Sequence, residues 1–271
     1  MIKLEKMESM LLAAVVGLLV LTILGPVVTQ PAHQHAFADQ RQWHGIPFAM
    51  DVLSNLSFAA WGLAGMMCLL GLLMRSKQSI KQNTEHALAG LFFSGLVVTA
   101  AASSYYHLQP DDMALSVDRI GMVIAFAGLL GLAVANRLSY RAGAVIAAAV
   151  LLLGPLSIGF WLASGNVLPW LVVQFGGMAL ILWMAFVKPM HAALPVRWGV
   201  VIGVYAIAKV LELADHQIYE LTSHVISGHS LKHLAAGFAA WPVLAAVVSA
   251  MAKTQKQGRI HVRNSDQSAA H

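Results

Sequence analysis

Eight stretches of this chain are apolar for roughly 20 residues each, the length at which a helix crosses the hydrocarbon layer of a bilayer. They fall at about 10–28, 51–74, 86–108, 116–135, 143–161, 168–187, 198–221 and 229–252. The fold they predict is all-α and integral to the membrane: a seven-transmembrane-helix bundle with one extra N-terminal helix. Composition agrees. Charged residues make up 11% of the chain and hydrophobic ones 58%, whereas a soluble domain carries about a quarter charged residues. A single cysteine, Cys68, lies inside an apolar run, which excludes a disulfide framework. The net charge of +5 is scattered over short loops and a tail, so no nucleic-acid partner is expected.

Three regions follow. Residues 1–38 hold the first apolar run and part of an outer loop. Lys3 and Lys6 before that run, and Ala36-Phe37-Ala38 after it, also fit a secretory signal peptide with a small-residue cleavage site. The length of the run favours a retained transmembrane helix. Residues 39–252 form the seven-helix membrane domain, and 253–271 a polar, basic tail expected to be disordered. Loop charge sets the orientation. Arg75, Lys77 and Lys81, Arg137 and Arg141, Lys188 and Arg197, and Lys253, Lys256 and Arg259 all fall on one side. Asp39, Arg41, Asp111, Asp112 and Glu220 fall on the other. The positive-inside rule makes the first side cytoplasmic, together with the C-terminus of a multi-pass cell-membrane protein.

Polar residues inside such spans are functional suspects. Ser103 and His107 are four apart at the outer end of the third run and share a helix face. Asp118 opens the fourth. His229 and His233, again four apart, open the last. Singly, these read as an interfacial hydrogen bond, a helix cap and a histidine pair of moderate specificity. The loop charges, however, bring all five to one depth at the outer face. Three neutral histidines with an open fourth position form the ligand set of a catalytic zinc, and zinc-bound water attacks carbonyls near neutral pH. Asp118 is then the proton acceptor, and the Ser103 hydroxyl the donor to the oxyanion.

This set, Ser-x3-His with an Asp eleven residues on and a late His-x3-His, resembles the motifs of the alkaline ceramidases, a family in the CREST superfamily of seven-helix membrane hydrolases. The chain resembles a bacterial member of that family. The adiponectin and progestin receptors and the hemolysin III-like proteins are more distant. The likeness spans about Asp51 to Ala252. It implies zinc on His107, His229 and His233, and cleavage of a ceramide-like lipid amide to a sphingoid base and a fatty acid. It also implies calcium at an acidic cluster before the first core helix. Here that stretch keeps only Asp51 and Asn55, two oxygen side chains where calcium takes six to eight ligands. In the seventh run Lys209 and Glu212 are spaced to pair, and Glu212 or Asp215 is the alternative contact for a substrate head group. A receptor-like or scaffold protein with a structural zinc is the competing reading. A transporter fits less well, because its polar groups belong near mid-membrane.

Overall fold

A computed structural model describes residues 5–75 and 80–269, with side chains placed except at 75, 80–82 and 256–269. Lys3 and Lys77, and the side chains of Arg75, Lys81, Lys256 and Arg259, lie outside the described residues. The described chain is helical, with no extended strand: α1 (Lys6–Leu24), α2 (Ala49–Ser54), α3 (Leu56–Arg75), α4 (Ile80–Leu108), α5 (Asp112–Arg137), α6 (Tyr140–Ser164), α7 (Leu168–Phe186), α8 (Trp198–Leu213), α9 (Asp215–Leu221), α10 (Gly228–Phe238) and α11 (Trp241–Ala269).

Among the described residues, seven segments are long and apolar enough to cross a membrane: Lys6–Leu24, Ala49–Met74, Asn83–Leu108, Asp112–Arg137, Tyr140–Ser164, Leu168–Phe186 and Gly228–Gln255. They form an all-α membrane bundle. Large apolar side chains such as Leu24, Met74, Leu152 and Phe186 point outward, where lipid rather than water meets them. The expected span at 198–221 is instead two helices. Ala214 leaves helical geometry between α8 and α9, yet α8 still packs in the bundle against α7 and α10.

Two other expected spans also break, each for a local reason. The Asn55 amide bonds the Asp51 carbonyl, competing with the backbone where α2 meets α3. Pro242, in the first turn of α11, lacks an N–H and crowds the carbonyl four residues back, so α10 stops at Phe238. The tail read as disordered continues α11 as helix to Ala269.

Helices α4 and α5 approach most closely. A Cβ on Gly95 would lie 2.3 Å from Ala125 N, and one on Gly128 2.2 Å from Phe92 N. Small residues at crossings let membrane helices pack backbone to backbone. That contact fixes the end of α4 beside the start of α5, where the polar residues lie. Helix α1 lies against α7, and the Ser139 hydroxyl donates to its Glu8 (2.6 Å). Between α1, α6 and α7 runs an apolar groove of about 670 Å³.

Candidate metal centre

The centre is built from three helix ends. The last turns of α4 carry Ser103 and His107 on one face. Helix α5 begins under an Asp111 cap, whose carboxylate accepts from Ala114 N (2.7 Å), and Asp118 follows. Helix α10 begins under a Ser227 cap that accepts from Ser230 N (2.9 Å). The Asp215 carboxylate takes a further free N–H, that of His229 (2.7 Å). Its other oxygen accepts from Ala38 N (3.0 Å), so both oxygens of Asp215 hold backbone.

The imidazoles of His107, His229 and His233 face one another, with ring centroids 4.8 to 5.1 Å apart. Their ligating atoms all lie within 4.8 Å of one another, so the three can hold a metal ion. His107 Nε2 and His229 Nε2 are 3.3 Å apart. Two nitrogens of a tetrahedral site with ~2.0–2.1 Å bonds stand roughly 3.3 Å apart, so this pair is spaced as two ligands of one metal ion would be. The three residues are only 1%, 7% and 1% exposed.

His233 is held in the tautomer that a ligand needs. The single hydrogen of Ser54 donates to the Asp51 carbonyl (3.0 Å), so Ser54 Oγ accepts from His233 Nδ1 (2.8 Å). That leaves the Nε2 lone pair for an ion. Ser54→Ala is expected to weaken zinc binding about 10–100-fold with the fold intact. Competition against a chromophoric chelator measures it, and an unchanged affinity would remove Ser54 from the design.

The other expected residues divide. Ser103, 3% exposed, aims its hydroxyl at the buried Asp118 carboxylate. Asp51 accepts from Ser230 (2.6 Å) and Ser227 (3.3 Å), tying α2 to α10. Asp51 Oδ2 and Asn55 Oδ1 are buried without a hydrogen-bond partner. Glu212 pairs with Lys209 as the spacing suggested, and also with Lys232 (3.1 Å).

Sequence reasoning missed the loop between α1 and α2, which straps across the centre. Phe37, 4% exposed, puts its ring 4.6 Å from those of both His107 and His229. The strap is pinned on either side. His216 Nε2 lies 2.9 Å from the Ala36 carbonyl, and Arg41 forks onto Asp39 (2.8 and 2.6 Å) and reaches the Val225 carbonyl (2.9 Å). Burial alone would raise the Asp39 carboxyl, but the Arg41 guanidinium outweighs it and holds Asp39 below the usual carboxylate range. His35 bridges Tyr106 (2.9 Å) and Asp112 (3.1 Å). A loop phenylalanine carries no sign of a metal centre in a single sequence, and Phe37 stood out only within the Ala36-Phe37-Ala38 cleavage-site pattern. Lys232 was visible between the two histidines, and its role depends on where Glu212 lies in space.

No protein-family model and no curated protein matches the chain.

Proposed function

We propose that this chain is a zinc-dependent membrane hydrolase that cleaves a lipid amide of the ceramide type into a sphingoid base and a fatty acid. The observation that carries it is the triangle of buried imidazoles, with Ser103 one turn before His107 on α4 and bonded to the buried Asp118. His107, His229 and His233 would hold the ion, whose Lewis acidity makes water a nucleophile near neutral pH.

The chain's own residues supply the rest. Asp118 accepts the proton that the attacking water loses and returns it to the departing amine nitrogen. Once Asp118 has taken that proton, the Ser103 hydroxyl is released from the carboxylate and donates to the carbonyl oxygen as negative charge grows on it. Burial among α4, α5 and α10 keeps bulk water from competing for these contacts. The loop charges put this end of the bundle at the outer face and the C-terminus in the cytoplasm, so a lipid reaches the centre from the outer leaflet.

The second reading is a receptor-like or scaffold protein with a structural zinc. One observation favours it: the Phe37 ring packs against two of the three imidazoles, which hinders access of a substrate to them. One experiment separates the two. The detergent-purified chain is expected to release fatty acid from a ceramide, to stop when zinc is stripped by a chelator, and to recover on adding zinc back. Asp118→Ala is expected to keep its zinc and lose turnover by about 10²–10⁴-fold. Full turnover in a metal-free preparation sinks the hydrolase reading. Zinc that governs thermal stability, with no turnover on any lipid amide, supports the structural one.

A further inference from the structure

We propose that Lys232 is the anion-binding residue of the centre, where its ammonium receives the carboxylate of the released fatty acid. The inference rests on the hydrolase reading above. Lys232 is three residues after His229, so the two share a face of α10. Its Nζ lies 3.1 Å from His229 Nε2 and 3.1 Å from Glu212 Oε1, with the side chain 19% exposed.

A cation at this depth needs partners, and the partners present do not suffice. Glu212 is shared, because Lys209 holds its other oxygen. Two ammonium groups on one carboxylate leave one positive charge uncompensated within the trio. Among the described residues no ion pair joins Lys232 to Asp51 or Asp118, although both lie within its electrostatic reach.

The remaining contact, to His229 Nε2, is temporary by its chemistry. That nitrogen also faces His107 Nε2 and belongs to the ligating set. Its one lone pair cannot serve both a metal ion and an ammonium N–H. Lysine has three donors and no acceptor, so the N–H facing the centre then needs an acceptor from outside the chain. Amide hydrolysis makes one there: a carboxylate, with two oxygens and a full charge. The amine product, being cationic, is repelled. The acid half of the lipid therefore belongs on the α10 side, and Glu212 is the tether that aims Lys232.

The test uses the full chain in detergent, loaded with cobalt(II) and titrated with hexanoate while the visible spectrum of the metal is followed. Lys232→Met is expected to weaken hexanoate binding about 10–100-fold at unchanged cobalt content. Lys232→Arg is expected to restore most of it. Equal affinity in wild type and Lys232→Met, or no spectral response to hexanoate in the wild type, overturns the proposal. Cobalt lost from a folded Lys232→Met chain also overturns it, since the lysine would then serve the scaffold. A wild type that binds hexanoate through Lys232 but releases fatty acid from no lipid amide keeps the anion site and overturns hydrolysis alone. A wild type that takes up no cobalt overturns the metal centre and this proposal together.

Discussion

Replacing His229 by alanine is expected to take the purified chain from about one zinc ion to near zero and to cut lipid-amide turnover by at least about 10³-fold. The magnitude follows from the role of the ion. Metal polarisation supplies several kcal/mol of transition-state stabilisation, and each ~1.4 kcal/mol is a factor of ten in rate. The substitution isolates the imidazole, because the bond that seats this end of α10 runs from His229 N to Asp215 and survives the loss of the side chain. Helix content and the thermal transition should therefore hold while zinc disappears. His224→Ala is the control. The His224 side chain is exposed, bonds the Glu220 carboxylate and lies tilted against the Tyr219 ring, and its loss should leave zinc and turnover unchanged. Zinc retained at the wild-type level in His229→Ala would place the metal elsewhere, whatever the activity.

The meeting of the three histidines was legible for two independent reasons. Spacing of four on a helix puts Ser103 with His107, and His229 with His233, on shared faces. The length of each apolar run, with the alternation of basic loops, then brings the ends of α4, α5 and α10 to one side of the bundle. Neither argument needs a contact between distant residues. What stayed hidden does need one. Ser54 matters because α2 passes beside His233. Asp215 matters because α10 begins against the break after α8, and its carboxylate there holds backbone from two other segments. Phe37 matters because a loop 70 residues before His107 in the sequence folds back over it.

The helix breaks show the same limit. Pro242 breaks the last expected span, which reads as one apolar run across it. Asn55 and Ala214 mark no break in the sequence, since either residue sits inside an uninterrupted helix elsewhere. A hydropathy pattern sees how much of a segment prefers lipid, and it does not see a side chain bonding its own backbone. These breaks let α2 and α9 turn toward the centre, so the features hardest to read supply its outer shell of support.

Gly228→Ala is expected to damage the centre without touching a ligand. Gly228 is the first helical residue of α10, a position where alanine ordinarily favours a helix over glycine by about 1 kcal/mol. Propensity alone therefore predicts a gain. Packing predicts the opposite. A Cβ at this position would lie 2.3 Å from the Leu211 carbonyl oxygen and 2.8 Å from Asp215 Cα. Both obstacles are backbone, at the end of α8 and the start of α9, so neither can swing aside as the tip of a side chain would. Relief requires α10 to move away, and His229 and His233 move with it while His107 stays on α4. Overpacking of this kind costs about 1–3 kcal/mol, which lowers Tm by roughly 2–4 °C for each kcal/mol in a chain of this size. Zinc affinity should fall at least about tenfold, since a second-sphere disturbance of ligand position has that scale. Gly203→Ala, on α8 with nothing within 4 Å of the added carbon, should leave both quantities unchanged or slightly improved. A Gly228→Ala chain with wild-type Tm and zinc affinity would mean that helix propensity outweighs the contact, and that the approach of α10 to α8 does not set the position of the histidines.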